Sequence, residues 1–267
     1  MSFRSIAIAA AIGVLIVAAL HLLVVPRLGE DSFFWFNAAT RTGLLAMVAV
    51  AAALAAQRFG WWSEYVGRAW TLFFVEYSVL TISEVLRRTM PDAALASEIC
   101  VVLANLAGIG AYILMARSLS AAGLSYYGSP AKKYAVIALA LILAVALCYS
   151  SIVAGFESLT STEPSPGRLV SPLADVITFV LVAPLLLTAF ALRGGQMFWM
   201  FALLTTGTIG WMINQGAGTI VQYLGGGDAA TRTLRMTGFA MACFLIAAAA
   251  LTQWLAAQRA LRGTAHA

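Results

Sequence analysis

The sequence predicts an all-α polytopic membrane protein, a helical bundle of about eight transmembrane helices with seven as the alternative count. Three observations predict it. Of 267 residues, 62% are apolar and only 10% are charged, with a mean hydropathy of +0.91, whereas a soluble domain carries about 25% charged residues. So few charges cannot cover a water-facing surface, which excludes a soluble enzyme, a nucleic-acid module and a disordered chain. The second observation is length. Eight apolar stretches, 5–25, 38–56, 68–88, 97–117, 134–155, 172–193, 197–222 and 234–257, approach or exceed the roughly 20 residues that a helix needs to cross a bilayer. The third is continuity. The run from Ile137 to Leu143 holds no polar residue, whereas the strands of an outer-membrane barrel alternate over about ten residues. Little chain remains for a soluble domain, so 1–267 reads as a single transmembrane domain.

In the first segment Arg4 precedes an apolar run that ends at Val25-Pro26-Arg27 without a small-residue cleavage site. This reads as a retained helix and not a signal peptide. Phe33-Phe34-Trp35-Phe36 precedes the second segment, and with Trp61-Trp62, Tyr126-Tyr127 and Trp254 these aromatics mark expected membrane boundaries.

The third segment carries the information. At 100° per residue Glu76, Ser83 and Arg87 fall within about 20° of one line, and Tyr77, Thr81, Glu84 and Arg88 form a second line roughly 100° away. Two polar stripes on an apolar helix mean that it faces protein or water and not lipid. Glu76 is expected near mid-membrane, where an ionisable group is costly and functional by default. Glu84 and Arg88 are spaced as an i,i+4 pair that neutralises a helix end.

Ala104 and Gly108 in the fourth segment are a small-xxx-small pair suited to helix contact. The stretch 155–171, with its Ser-Thr-Glu-Pro-Ser-Pro-Gly run, reads as a turn-rich exposed loop. Asp175 follows Pro172 and is expected in the first turn of the sixth segment, where an acid complements the dipole. Pro184 reads as a kink. The seventh segment contains Thr206, Gly210 and the run Asn214-Gln215-Gly216-Ala217-Gly218. That run reads first as a kink with packing glycines, with a broken helix lining a cavity as the alternative.

Sixteen cations divide almost evenly between the two faces. Arg4, Arg58, Arg68, Arg117, Lys132, Lys133, Arg193, Arg259 and Arg262 fall on one side, and Arg27, Arg41, Arg87, Arg88, Arg168, Arg232 and Arg235 on the other. The Lys132-Lys133 pair and the basic tail place both termini in the cytoplasm. The alanine- and arginine-rich, lysine-poor usage points to a GC-rich bacterial genome, and the expected location is a bacterial inner membrane. On this orientation Arg41, Arg87, Arg88 and Arg235 share the outer level with Asp175, Asn37, Asn214, Gln215 and Gln222. The expected site is therefore an arginine-rich outer pocket formed by Arg41, Glu76, Tyr77, Glu84, Arg87, Arg88, Asp175, Asn214 and Gln215. The planar guanidinium fork suits carboxylate or phosphate.

No cofactor is assigned. Of the two histidines, His21 is in a span and His266 in the tail, which excludes a bis-histidine haem within this chain. The only lysines, Lys132 and Lys133, stand at the membrane edge and not where a retinal would be held, and no cysteine–histidine zinc set is present. Cys100, Cys148 and Cys243 stand in separate segments and read as small packing residues. No spacing demands catalysis. The architecture is similar to the membrane sensor modules attached to bacterial signalling proteins, although no kinase or cyclase domain accompanies it. The expectation is a ligand-binding or sensory module for an anionic or amphipathic small molecule, in contact with membrane lipid and a protein partner subunit and not with nucleic acid. A structural or quinone-handling subunit of a larger complex is the alternative, and a proton-coupled transporter the second.

Overall fold

The computed structural model describes residues 2–121, 123, 129–160, 165–191 and 196–264. Tyr126, Tyr127, Arg193, His266 and the side chain of Arg262 lie outside the described residues. Those residues form eight α-helices and no strand: α1 (Phe3–Leu23), α2 (Glu30–Arg58), α3 (Tyr65–Thr89), α4 (Ala94–Ala121), α5 (Pro130–Leu159), α6 (Pro166–Ala191), α7 (Gln196–Tyr223) and α8 (Asp228–Thr264). Seven of these are long and apolar enough to cross a membrane, so the protein is a multi-pass helical bundle. The exception is α7, whose threonines, amides and glycines dilute an otherwise apolar helix.

Local chemistry sets the ends. Ser2 accepts a hydrogen bond from the Ser5 amide at 3.1 Å to start α1, and Ser129 caps α5 ahead of Pro130, each satisfying amides that the first turn leaves unpaired. Glu30 and Asp31 open α2, and Arg87 and Arg88 close α3, as the helix dipole favours. Between α2 and α3, Gly60 and Trp61 both take positive φ, 67° and 54°. The turn brings Gly67 against the Phe59 and Trp61 carbonyls, where a Cβ would lie 2.6 Å from the Trp61 oxygen.

Seven of the eight helices are longer than expected, and the extensions of α2, α5 and α6 change where a residue lies. The aromatics Phe33 to Phe36 lie inside α2, not ahead of it. The loop expected over 155–171 is mostly helix, because α5 runs to Leu159 and α6 begins at Pro166. Pro166, not Pro172, occupies the first-turn position that needs no amide hydrogen. Pro172 is therefore internal, and Asp175 sits in the third turn of α6 instead of its first. Pro184 is also internal. The alternative of a broken α7 is overturned, since Gln196–Tyr223 is one unbroken helix. Ser151 of α5 donates to the Gln215 carbonyl at 3.2 Å, and Gly216 abuts Leu147 of α5, so α5 supports the stretch where a break was considered.

Packing arranges six helices in a closed ring. α2 meets α3, α3 meets α4, α4 meets α6, α6 meets α7, α7 meets α8, and α8 returns to α2. α1 packs outside the ring on α8, and α5 outside it on α6 and α7. Burial follows this plan: 67% of the apolar window of α8 is covered by protein, against 17% for α5. One end of the ring is filled by Trp70, Phe73, Met115, Phe201, Leu204 and Ile246, all buried. Trp70 and Phe73 lie tilted against each other with centroids 5.2 Å apart, and Phe73 meets Tyr112 edge to face at 5.1 Å. The other end is open.

Candidate functional site

Read along α3, the ring changes character every one to two turns. Trp70 and Phe73 belong to the plug, Glu76 and Tyr77 to the floor above it, Ser83 and Glu84 to the wall, and Arg87 and Arg88 to the mouth. The neighbouring helices run the same gradient, from Arg168 through Ser171 and Asp175 to Val182 on α6, and from Arg235 through Phe239 to Ile246 on α8.

Two chambers result. The inner one, about 470 Å³, is lined by all six ring helices. The mouth chamber, about 630 Å³, adds His21 from α1 and Ser151 and Gly155 from α5. Arg41, Glu84, Arg87, Arg168, Ser171, Asn214 and Gln215 line both, so the cavity is continuous.

The mouth is cationic. Arg41, Arg87, Arg88, Arg168, Arg232 and Arg235 line it, and Glu84 is the one carboxylate among the described lining residues. Glu84 is consumed by two of them: Arg88 Nη2 lies 3.0 Å and Arg41 Nε 3.4 Å from its Oε1. Arg41 also stacks over Phe239 at 4.3 Å, and Arg88 over Phe34 at 4.7 Å, a favourable cation–π arrangement. The expected i,i+4 pair is thus present, and Arg41 makes it a triad across α2 and α3. Arg87, Arg168, Arg232 and Arg235 form no ion pair among the described residues.

The inner chamber is aromatic and acidic. Trp211 Nε1 donates to the Tyr77 hydroxyl at 3.1 Å. The Thr208 hydroxyl donates to its own helix at the Leu204 carbonyl, so Tyr112 donates to Thr208, at 2.9 Å. These bonds tie α3 and α4 to α7 across the ring. Ser83 and Ser97 clasp α3 to α4 with their hydroxyl oxygens 2.9 Å apart. Glu98 accepts from the Gly167 amide at 2.8 Å and so fixes the start of α6. Gln215 donates to Ser171 at 3.2 Å.

All nine residues expected at the site line one chamber or both. Arg41, Glu76, Tyr77, Glu84, Arg87, Asp175, Asn214 and Gln215 reach the inner chamber, and Arg88 lines the mouth alone. Asp175 is there because it is deep in α6, not because it opens the helix. Asn37 and Arg235 also line the mouth, while Gln222 is exposed and apart from both chambers. Thr81, placed on the second polar stripe, faces away. It bonds the Tyr77 carbonyl at 2.6 Å and lines a shallow apolar groove with Ser78 and Ile82. The small pair Ala104 and Gly108 is more than a contact motif: a Cβ on Gly108 would lie 2.6 Å from Glu76 Oε1, so the glycine makes room for the carboxyl.

Asn105, Tyr112, Arg168, Trp211 and Arg232 complete the cavity and were not expected there. Arg168 and Arg232 shared the charged face in the sequence; Arg168 was set apart by the loop assigned to 155–171, and Arg232 by its place ahead of the 234–257 segment. Asn105 and Tyr112 are isolated polar groups within an apolar helix, a signal available but weak. Compared with known proteins, the chain matches no family model, no curated protein and no solved structure.

Proposed function

We propose that this bundle is a ligand-binding, sensory module of a bacterial inner membrane, which takes an anionic or amphipathic small molecule from the outer face. The observation that carries the reading is the mouth. Four arginines with no carboxylate partner among the described residues, on α3, α6 and α8, surround a cavity that continues inward past Leu45, Leu80, Val101 and Phe239. A guanidinium offers a fork for carboxylate or phosphate, and the inner wall suits a short apolar body. Binding alters the bundle only through unequal affinity for two of its states, and a protein partner subunit would receive the change.

Less supports the alternatives. A carrier would use Glu76 as its proton site, but the broken α7 on which that idea also drew is absent, and the plug closes the far end of the ring. A structural or quinone-handling subunit finds no specific feature in the cavity.

The test is thermal unfolding of the purified protein with hexanoate and with hexyl phosphate, beside hexanol as the uncharged control. Both anions are expected to stabilise the protein more than hexanol does. In Arg87→Gln and Arg235→Gln the anion response is expected to weaken about ten-fold in apparent affinity, the scale of one lost charge-assisted hydrogen bond. An unchanged response in both variants would overturn the proposal.

A further inference from the structure

The arginines account for an anion and leave the floor of the cavity unexplained. Three oxygens there, Glu76 Oε2, Asp175 Oδ2 and Asn214 Oδ1, are buried and have no hydrogen-bond partner. They come from α3, α6 and α7 and line the same inner chamber, so no helix terminus or local turn explains them. Asp175 and Asn214 are each nine-tenths buried. Leaving a buried polar group unpaired costs about 1–3 kcal/mol, and more for a charged one. Among the described residues no arginine reaches Glu76 or Asp175, because both ion pairs go to Glu84.

We infer that the inner chamber receives an ammonium group, so that the ligand is an elongated zwitterion with its anionic end among the mouth arginines and its amine between Glu76 and Asp175. This deepens the ligand-binding reading and rests on it. An ammonium carries three hydrogen-bond donors and no acceptor, which complements three unpaired oxygens. Trp211 and the two tyrosines supply ring faces beside it, the partners a cation prefers. Two carboxyls and an amide fall short of the six or more oxygens usual for calcium, and the described residues hold no group of three or more metal-ligating side chains. The spacing sets the ligand's length. Arg168 and Asp175 are seven residues apart on α6, about 10 Å along the axis. Side chains from both ends shorten that span, so a chain of roughly four to eight carbons fits between them.

The experiment compares ω-amino carboxylates of four to eight carbons with the matching plain carboxylates. Binding is measured by thermal stabilisation of the protein in phosphatidylglycerol nanodiscs. At least one amino carboxylate is expected to bind about ten-fold more tightly than its plain counterpart. That preference is expected to vanish in the Glu76→Gln/Asp175→Asn variant, whose own unfolding transition reports that it is folded. Plain carboxylates that bind, with no gain from the amine at any length, would overturn this inference and leave the ligand-binding reading standing. A phosphatidylethanolamine headgroup presents the same two charges, so the series is repeated with that lipid in the disc. Stabilisation by the lipid that the double variant loses, and that the amino carboxylate competes away, identifies a headgroup as the source. Failure of carboxylates, amino carboxylates and phosphatidylethanolamine alike would overturn both readings.

Discussion

Glu84 and Glu76 lie eight residues apart on α3, and their surroundings treat them differently. Glu84 is held by Arg41 and Arg88, whereas Glu76 meets the bare backbone of Gly108 and lines the inner chamber. The difference was half legible. Helical spacing pairs Glu84 with Arg88 and sets Glu76 at mid-helix, but nothing along the chain says that Arg41 will turn to Glu84 instead. Asp175 was misplaced by one ambiguous proline, and its arrival in the chamber depends on where α6 starts. The intimacy of Gly108 and Glu76 has a measurable consequence. Gly108→Ala is expected to lower stability by no more than about 1 kcal/mol, since the methyl displaces only the movable end of the Glu76 side chain and alanine favours the helix. Truncating the carboxyl as well, in Gly108→Ala/Glu76→Ala, should recover part of that loss, because the two sites are in contact. Equal, additive losses in thermal unfolding would show that the alanine does not touch the carboxyl.

At the scale of helices, hydropathy located seven of the eight elements because each carries a long apolar window. The seventh was recognisable by continuity, though its glycines blurred whether it would break. Its partner resolves the matter. Gly210 of α7 and Gly238 of α8 face each other: a Cβ on Gly238 would lie 2.8 Å from the Gly210 oxygen and 2.7 Å from the Asn214 nitrogen. The backbones meet with nothing between them, as small residues at helix contacts permit. Gly238→Ala is therefore expected to destabilise the bundle by about 2 kcal/mol. Gly218→Ala, on the same α7 but facing open space, should be neutral or stabilising by up to about 1 kcal/mol, from helix propensity alone. Denaturation of the two variants in one detergent checks the contrast, and similar losses in both would remove the crossing from the account.

Across the whole molecule the decisive feature is which helices neighbour which, and this was the least legible. Asn105 and Tyr112 stand alone in an apolar helix, and Trp211, although Thr208, Asn214 and Gln215 flank it at helical spacing, reads as an apolar ring; the three meet only because α4 and α7 belong to one ring of helices. The ring opens at one end and is plugged at the other, so access is expected to be one-sided. With Cys100, Cys148 and Cys243 replaced by alanine, a cysteine at Arg232 or Asn37, both lining the mouth, should react with a membrane-impermeant thiol reagent applied outside intact cells. One at Phe201 should not, since that side chain is wholly buried in the plug. Labelling of the first two only from the inside would reverse the proposed orientation.

The glycine crossing also makes the ring mechanically uneven. On the α7–α8 side, main chain rests on main chain, with no side chain that can rotate out of the way. On the opposite side α3, α4 and α6 are joined by a hydroxyl clasp and a single carboxylate-to-amide bond, which can lengthen or exchange partners with little disturbance of the backbone. Any molecule that swells the cavity thus presses against one rigid wall and one more compliant wall, and the displacement is expected at the α4–α6 seam, which is far less extensively packed than the seam between α3 and α4.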